Sequence, residues 1–292
     1  MRRQRFVTRA HAKLNLDLRV LGRRADGLHE LRTIYQSIEL ADCLTVTVRP
    51  GPFELRCNDP SVPIGRDNLV WEAAVRAFRI VGRGTPRDLS VVIDKRIPLE
   101  AGLGGGSTDA AAMLRALSAL WPDELSVSIC HRVASKIGAD VPFFLLGGTA
   151  LGLGAGDELF PLIDLPKYWA VLLIPDFGVS TAAAYGWFDV APRRIRPVES
   201  REPLAPRAAD LSRVVKLVNE LEPAVLAKYP EIRRMKTALR RAGATHPSMS
   251  GSGSCVFGLF SRRRDAAEAA AALRRREWRV IMTRTVTRGD VT

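Results

Sequence analysis

The sequence predicts an α+β fold of two domains, an N-terminal domain over residues 1–160 and a C-terminal domain over residues 161–292. The first observation behind this prediction is that strand and helix patterns occur in both halves of the chain. The second is the length of 292 residues, which suits one large or two medium domains. The third is a change in composition near residue 160, where Pro161 and Pro166 precede the new apolar run YWAVLLIP.

The N-terminal half reads as strands with helices between them. The segments LNLDLRV (residues 14–20) and LTVTVR (residues 44–49) alternate in polarity with a period of two, as half-buried strands do, and FELRC follows. The other elements predicted in this half are a helix at 68–82 capped by Asp67 or Asn68, a strand at 89–97, and helices at 107–120 and 127–138.

The C-terminal half also mixes strands and helices. A strand at 168–175 precedes a helix, and an arginine- and proline-rich stretch at 192–207 predicts a mobile surface loop. After this loop the pattern predicts two helices, the strand SCVFGLF, another helix and the strand WRVIMTRTV. No internal repeat is visible.

The formal net charge of +13 raises the question of a nucleic-acid partner. Basic clusters at 233–241, 262–264 and 274–279 fall on predicted helices whose other faces are apolar, which is typical of solvated helix faces. No basic stripe with interleaved aromatic residues and no known nucleic-acid motif accompanies them. We therefore expect no nucleic-acid partner, since a positive field would equally attract a small polyanionic substrate.

The sequence favours a protein of the reducing cytoplasm. No apolar run approaches the eighteen residues of a transmembrane helix, so we expect no membrane partner. The basic N-terminal segment lacks the apolar stretch of a signal peptide. The four cysteines lie far apart without the spacing of a zinc site or a disulfide framework.

The segment PLEAGLGGGSTDAAAMLRALSAL places four glycines within five residues, directly before an alanine-rich helix. Glycine is tolerated where the backbone takes positive φ or approaches a ligand closely. The helix N-terminus, with Ser107, Thr108 and Asp109 in its first turn, offers unpaired amides to an anion such as phosphate. The segment lacks the lysine of a P-loop, and it is not followed by the acidic residue that closes the second strand in a dinucleotide fingerprint. It therefore predicts a phosphate loop of another kind, with an ordinary turn as the alternative.

Four other features place polar groups in apolar or turn-like surroundings. Lys13 and Asn15 share one face of a predicted strand, where a lysine is more often an edge residue that reaches solvent. His29 follows an Asp-Gly turn, although a lone histidine is most often a surface or a satisfied core residue. Asp140, in GADVPFF, is costly without a charge partner or a chemical role. The segment HPSMSGSGSCVF is a second candidate turn for phosphate oxygens.

Five of these segments resemble the GHMP small-molecule kinases in order and approximate spacing: AKLNL, RADGLHEL, PLEAGLGGGSTDAAA, GADVPFF and MSGSGSCVFGLF. The resemblance spans residues 12–260. On the basis of DGLHEL, TIYQSIEL and GADVPFF, the chain is similar to the branch that uses ATP to phosphorylate the 2-hydroxyl of 4-diphosphocytidyl-2-C-methyl-D-erythritol in the non-mevalonate isoprenoid pathway. The resemblance implies an N-terminal ATP-binding α/β domain and a C-terminal ferredoxin-like α/β domain, with a cleft between them.

The resemblance also implies roles for individual residues. Lys13 and Asp140 match the catalytic pair, in which Asp140 accepts the proton of the attacking hydroxyl and Lys13 offsets negative charge. The residues implied to contact the substrate are Asn15, His29, Thr181 and Tyr185. The positions implied to bind ATP are Asn68, Lys95, Pro98, Leu99, Glu100, Ala101, Gly102, Leu103, Gly104, Gly105, Gly106, Ser107 and Thr108.

Two positions depart from the family pattern. Leu28 stands where an aromatic residue usually precedes the histidine, and Glu100 stands where a small residue is commoner. ATP is the implied phosphoryl donor with Mg²⁺, for which the sequence identifies no protein ligand. The implied partner is the small cytidylated substrate, bound by a monomer or a homodimer. The alternatives are another GHMP kinase, acting on mevalonate, homoserine or a sugar, and a non-catalytic relative that binds nucleic acid.

Overall fold

The computed structural model describes residues 4–191, 217–274 and 277–291, so the loop predicted at 192–207 lies outside the described residues. In chain order the elements are β1 (Arg5–Arg23), β2 (His29–Pro52), β3 (Glu54–Cys57), α1 (Leu69–Ile80), β4 (Arg87–Asp94), α2 (Gly105–Leu120), α3 (Val127–Ala134), α4 (Val141–Leu146), β5 (Thr149–Leu153), β6 (Glu158–Pro161), β7 (Trp169–Pro175), α5 (Thr181–Val190), α6 (Glu222–Lys228), α7 (Glu231–Arg241), β8 (Thr245–Met249), β9 (Val256–Phe260), α8 (Arg263–Ala272), β10 (Trp278–Arg284) and α9 (Arg288–Val291). Among these described residues, no helix is long and apolar enough to span a membrane.

The first sheet has the order β3-β4-β2-β5-β6, with β1 paired to β2. β1 and β2 run antiparallel, from Arg5 opposite Thr47 to Arg23 opposite His29. Helices α1 and α2 pack with this sheet around one apolar core. The core face of α2 includes fully buried small residues, Ala110, Ala111 and Ala112. Because alanine side chains are short, α2 can lie close to α1 and to the sheet.

The strands β1 and β2 are much longer than the segments predicted at 14–20 and 44–49. Every residue from position 10 to position 18 is buried, so the alternation of exposed and buried side chains disappears there. Both faces of this part of the strand are covered, and a strand covered on both faces loses the pattern by which a half-buried strand is recognised. The short strands β5 and β6, in GTALGLGAGDELFPL, were not predicted from the sequence.

The second sheet is antiparallel, with the order β10-β7-β9-β8. Along the described chain, β7 is followed by α5, α6 and α7, then by the hairpin of β8 and β9, then by α8 and β10. This succession is a ferredoxin-like β-α-β-β-α-β arrangement with additional helices. The predicted α+β fold, with an α/β N-terminal part and a ferredoxin-like C-terminal part, is confirmed.

The two sheets meet through an apolar cluster. Its buried members come from β1, β2 and the glycine loop on one side and from β7 and β9 on the other; they include Ala12, Leu14, Leu16, Ile34, Ile38, Leu103, Ala170, Leu172, Phe257 and Leu259. Lys13 and Asn15 lie between the apolar residues of β1 and line the cleft instead. Polar and apolar residues therefore alternate along this buried part of β1: the apolar side chains pack between the sheets, and Lys13 and Asn15 line the cleft.

Candidate active site

A cleft of about 910 Å³ is lined by residues from both halves of the chain. The predicted site residues that line it are Lys13, Asn15, His29, Pro98, Leu99, Glu100, Ala101, Gly102, Leu103, Gly104, Gly105, Gly106, Ser107, Asp140, Thr181 and Tyr185. Asn68, Lys95 and Thr108 are not among the lining residues. The structure thus brings together the glycine loop, the Lys–Asp pair and the two aromatic positions that lie far apart in sequence.

Backbone geometry explains the glycines of the loop. Gly102 and Gly104 have φ of +72° and +73°, a region that side chains disfavour. A Cβ at Gly102 would overlap the carbonyl oxygen of Ser250, and a Cβ at Gly104 would overlap the ring of Phe144. We expected these two glycines to allow close approach of a ligand. Instead, they allow the loop backbone to lie close to Ser250 and Phe144.

The glycine loop ends in the N-terminus of α2. Gly104 is the N-cap residue, so the helix begins at Gly105 rather than at the predicted Ser107. The amide of Thr108 donates to the carbonyl of Gly104 at 2.9 Å, which starts the i→i−4 pattern. The amides of Gly105, Gly106 and Ser107 precede that bond and have no acceptor within the helix. They form a donor group at the positive end of the helix dipole, where an anion is favoured.

The second glycine- and serine-rich turn, residues 249–255, supports this loop. Ser250 Oγ donates to the carbonyl of Gly102 at 3.0 Å and accepts from the amide of Asn15 at 3.3 Å. Gly251 and Ser252 line the cleft, and Ser252 Oγ lies 3.3 Å from Thr181 Oγ1. The turn therefore joins the loop to β1 and carries the cleft surface into the C-terminal half.

Lys13 and Asp140 form an ion pair at the cleft surface. Lys13 Nζ lies 3.4 Å from Asp140 Oδ2, and the same ammonium group donates to Asn15 Oδ1. The side chain of Lys13 is 5% exposed and that of Asp140 is 32% exposed, so the carboxylate is the partner that a bound molecule can reach. Asn15 Nδ2 donates onward to Thr33 Oγ1 at 2.8 Å, which fixes the amide that holds the lysine.

Sequence reasoning missed Tyr35, which contacts the other oxygen of Asp140. The Tyr35 hydroxyl donates to Asp140 Oδ1 at 2.9 Å, and the residue is only 2% exposed. Burial, and then the nearby charge of Asp140, raises the pKa of Tyr35 well above its ordinary value. The one available signal was a tyrosine inside the apolar strand segment TIYQSIEL, since a buried hydroxyl usually has a partner.

An aromatic pair stands at another part of the cleft. His29 and Tyr185 stack with ring centroids 4.6 Å apart, and His29 Nε2 lies 2.8 Å from Asp189 Oδ1. A carboxylate only accepts, so Nε2 carries the hydrogen of this bond. Burial, followed by the charge of Asp140, raises the pKa of Tyr185, which therefore stays neutral. Sequence reasoning did not identify Asp189, which also lines the cleft.

Lys95 lies behind the glycine loop. Its Nζ donates to Asp42 Oδ2 at 2.7 Å and to Asp109 Oδ2 at 2.6 Å, and the three side chains are at most 4% exposed. Burial, and then the negative charge of the neighbouring Asp42, raises the pKa of Asp109 to about 7, although Lys95 opposes this shift. Burial lowers the pKa of Lys95, but the two carboxylates outweigh it and raise the pKa overall.

This buried group of two carboxylates and one ammonium ion connects the two ends of the loop. Asp42 Oδ1 also accepts from the amides of Arg96 and Ile97, just before the loop, while Asp109 lies in α2, just after it. Asn68 has a local role as the N-cap of α1, where its Oδ1 accepts from the amide of Val70 at 2.8 Å. The side chains of Lys95 and Asn68 are therefore engaged within the fold, Lys95 behind the loop and Asn68 at the start of α1.

Comparisons with known proteins agree with this geometry. The chain matches the model of the GHMP kinases N terminal domain over residues 68–148 and that of the GHMP kinases C terminal over residues 202–279. It is 42% identical over 281 residues to a 4-diphosphocytidyl-2-C-methyl-D-erythritol kinase of Moorella thermoacetica, covering 95% of this chain and 98% of that protein.

Solved structures show the same likeness. A crystal structure of 4-(cytidine 5'-diphospho)-2C-methyl-D-erythritol kinase is 37% identical, with a TM-score of 0.77 over 96% of this chain and 99% of that chain. Homoserine kinase from Cytophaga hutchinsonii, at 19% identity and a TM-score of 0.69 over 98% of this chain and 96% of that chain, shares the fold. The chain belongs to the GHMP kinases, in the group of the 4-diphosphocytidyl-2-C-methyl-D-erythritol kinases, and is an ATP-dependent small-molecule kinase.

Proposed function

We propose that the chain transfers the γ-phosphoryl group of ATP to the 2-hydroxyl of 4-diphosphocytidyl-2-C-methyl-D-erythritol, in the non-mevalonate isoprenoid pathway. The products are ADP and the 2-phosphate of the acceptor. The observation that carries this proposal is that one cleft holds the glycine loop, the Lys13–Asp140 pair and the His29–Tyr185 stack. The names of the full-length relatives support the choice of acceptor.

The loop supplies the ATP site. We assign residues 98–108 to the phosphates, because the free amides at the start of α2 lie in the cleft wall. Phosphoryl transfer requires mainly that the phosphates and the attacking oxygen are positioned and that the developing charge is offset. Lys95 joins the two ends of this loop through Asp42 and Asp109, and Asn68 caps α1. We propose that both residues contribute to ATP binding.

The Lys13–Asp140 pair supplies the proton acceptor. As the acceptor oxygen forms its bond to Pγ and the bond from Pγ to the β-phosphate oxygen breaks, the hydroxyl proton moves to the Asp140 carboxylate. Lys13 Nζ, 3.4 Å from that carboxylate, places a positive charge beside the reacting oxygens. Asn15 fixes the lysine, and we propose that Asn15 and Thr181, which both line the cleft, contact the acceptor.

The His29–Tyr185 stack supplies the cytosine site. Both side chains line the cleft, and since the rings stack on each other, a planar base would contact the outer side or the edge of the pair. With Nε2 engaged by Asp189, Nδ1 is the nitrogen of His29 that can accept from an amino group of the base. Leu28 is 53% exposed at the cleft, so the position before the histidine contributes an aliphatic surface instead of an aromatic ring.

Mg²⁺ is proposed as the companion of ATP. The described residues contain no group of three or more histidine, cysteine, aspartate or glutamate side chains that could hold a metal ion. Because Mg²⁺ usually keeps several waters and binds substrate phosphates, we propose that ATP phosphates and water are its main ligands. Bound in this way, Mg²⁺ would neutralise phosphate charge.

We propose domains at 1–160 and 161–292, supported by the end of the first sheet at Pro161 and the start of the second at Trp169. Four free cysteines suit a reducing cytoplasm. We further propose that the protein is a monomer or a homodimer. We also propose that it binds the small substrate and no nucleic acid, since the segments that resemble the GHMP kinases contribute residues to the cleft.

An acceptor panel tests the proposed reaction. ADP release is measured with ATP, Mg²⁺ and each of four acceptors: the cytidylated methylerythritol, mevalonate, homoserine and galactose. We expect acceptor-dependent ADP release only with the first, and a product that carries one added phosphate. Faster release with any other acceptor would assign the chain a different GHMP reaction.

A further inference from the structure

Tyr35 lies next to Asp140, the proposed base. It lies on β2 opposite Asn15 of β1, and its hydroxyl donates to Asp140 Oδ1 at 2.9 Å. Its ring stacks on Phe143, with centroids 4.7 Å apart, and lies 5.6 Å from Lys13 Nζ. One phenol therefore contacts the carboxylate, the lysine that pairs with it, and the helix α4 that follows Asp140.

Two glycines make the slot in which this phenol lies. A Cβ at Gly152 would stand 2.7 Å from Cε2 of Tyr35, and a Cβ at Gly156 would overlap its hydroxyl oxygen. Gly152 is on β5, and Gly156 is in the turn between β5 and β6 with φ of +104°. The first and last glycines of the segment GLGAG therefore make room for Tyr35, because a side chain at either position would meet its ring or its hydroxyl group.

In the hydrogen bond between Tyr35 and Asp140, the phenol is always the donor and the carboxylate the acceptor. Burial and the neighbouring carboxylate keep the phenol protonated, so it donates to Asp140 and does not compete as a base. With Oδ1 held by Tyr35, Oδ2 is the oxygen that faces Lys13 at 3.4 Å. A carboxylate fixed at one oxygen presents the other in a single orientation, which a positioned proton transfer requires.

We propose that Tyr35 is a positioning residue for the reaction, and that it directs Asp140 Oδ2 towards the acceptor hydroxyl from a slot made by Gly152 and Gly156. The inference rests on the proposed role of Asp140 as the base. Tyr35 lines the cleft but is only 2% exposed, and its hydroxyl is engaged by Asp140. We therefore expect its removal to lower the rate of the chemical step and to spare binding.

A double-mutant cycle tests this inference. Tyr35→Phe removes only the hydroxyl, and we expect kcat to fall roughly 10- to 100-fold, as for the loss of one hydrogen bond to a charged group. The KM values for ATP and acceptor should change by less than about threefold. In the Asp140→Asn background, Tyr35→Phe should change the residual single-turnover rate by less than about threefold, because the base is already absent.

Tyr229→Phe is the matched control, since it removes the same hydroxyl from a ring stacked on Phe177 in the C-terminal core. It should retain the kcat of the parent chain. If Tyr35→Phe keeps more than half of the parent kcat while Asp140→Asn is inactive, the inference is wrong and the proposed base stands. If Tyr35→Phe slows both backgrounds equally, its effect does not pass through the carboxylate, and the inference is again wrong. If Asp140→Asn is fully active, the proposed base fails and the inference fails with it.

The slot gives a second readout that leaves Tyr35 unchanged. Gly156→Ala should displace the hydroxyl and lower kcat by a factor similar to that of Tyr35→Phe. Gly154→Ala is its control, because Gly154 is in the same turn with φ of +67°, yet its Cβ would meet Asp157 and Glu158 instead of Tyr35. Equal loss of kcat in both alanine variants would attribute the effect to turn strain and overturn the inference.

Discussion

His29 stacks on Tyr185, with ring centroids 4.6 Å apart and an interplanar angle of 20°. His29 begins β2 in the first sheet and Tyr185 lies on α5 in the C-terminal half, so the contact joins the two halves across the cleft. Asp189, one turn after Tyr185 on the same helix, holds His29 Nε2 at 2.8 Å. The helix α5 therefore fixes both the ring plane and the tautomer of the histidine.

The cytosine assignment predicts a selective effect of His29→Ala. Loss of one hydrogen-bonding partner in a buried site costs about 1–3 kcal/mol, so KM for the cytidylated acceptor should rise roughly 5- to 150-fold. ATP affinity should hardly change. Steady-state kinetics with each substrate varied separately would measure both values. Weaker ATP binding with an unchanged acceptor KM would remove the cytosine assignment.

Leu28→Tyr is the companion variant for this end of the cleft. Because Leu28 is half exposed at the cleft, a larger ring has room there and could stack on a base. We expect acceptor KM to stay the same or to fall, with kcat unchanged. A large rise in acceptor KM would show that the aliphatic side chain itself fits the substrate.

The glycine loop predicts a loss of ATP affinity on Gly104→Ala. The new Cβ would lie at φ of +73° and overlap Phe144, so the loop must move away from the geometry that presents its amides. ATP affinity, measured by calorimetry, should fall at least about tenfold, which corresponds to roughly 1.4 kcal/mol. Gly82→Ala is the control: its φ is +72°, with open space around the added Cβ. It should lose about 1 kcal/mol of stability from strain and keep full ATP affinity.

The buried Asp42–Lys95–Asp109 group predicts a pH-dependent stability. The folded-state pKa of Asp109, about 7, lies above its ordinary value of 3.8, so its contribution is fully present below pH 3.8 and is lost as pH rises towards 7. One such group changes the free energy of unfolding by at most about 1.4 kcal/mol per pH unit. Asp109→Asn should remove this decline, so the variant should gain stability relative to the parent between pH 5 and pH 8. Urea unfolding at the two pH values measures the difference, and parallel curves would contradict the assignment.

The local sequence pattern was sufficient to predict those helices and strands whose polarity pattern or turn residues lie within a few positions of one another. The helix α2 after the glycine loop, the strands β4, β7 and β9, and the polar phase of Lys13 and Asn15 on β1 all followed from periodicity and composition. The lengths of β1 and β2 did not, because burial on both faces removes the alternation on which a strand prediction depends.

Contacts between distant positions account for most of what the sequence did not predict. Tyr35 and Asp140 are 105 positions apart, and His29 and Asp189 are 160 positions apart. Nothing in the local sequence around Lys95 indicates that Asp42 and Asp109 meet its ammonium group. Such pairs follow from sheet register and helix placement, which only the assembled fold defines.

The central claim is that Asp140 accepts the proton of the acceptor hydroxyl in an ATP-dependent phosphorylation. Asp140→Asn keeps the shape of the side chain and removes its basicity, so the most direct measurement is kcat of this variant with ATP and the cytidylated acceptor, beside the dissociation constants of both. We predict a fall in kcat of roughly 10²- to 10⁴-fold with nearly unchanged dissociation constants. A variant that retains more than about a tenth of the parent kcat would contradict the account, since a general base is expected to contribute more than that.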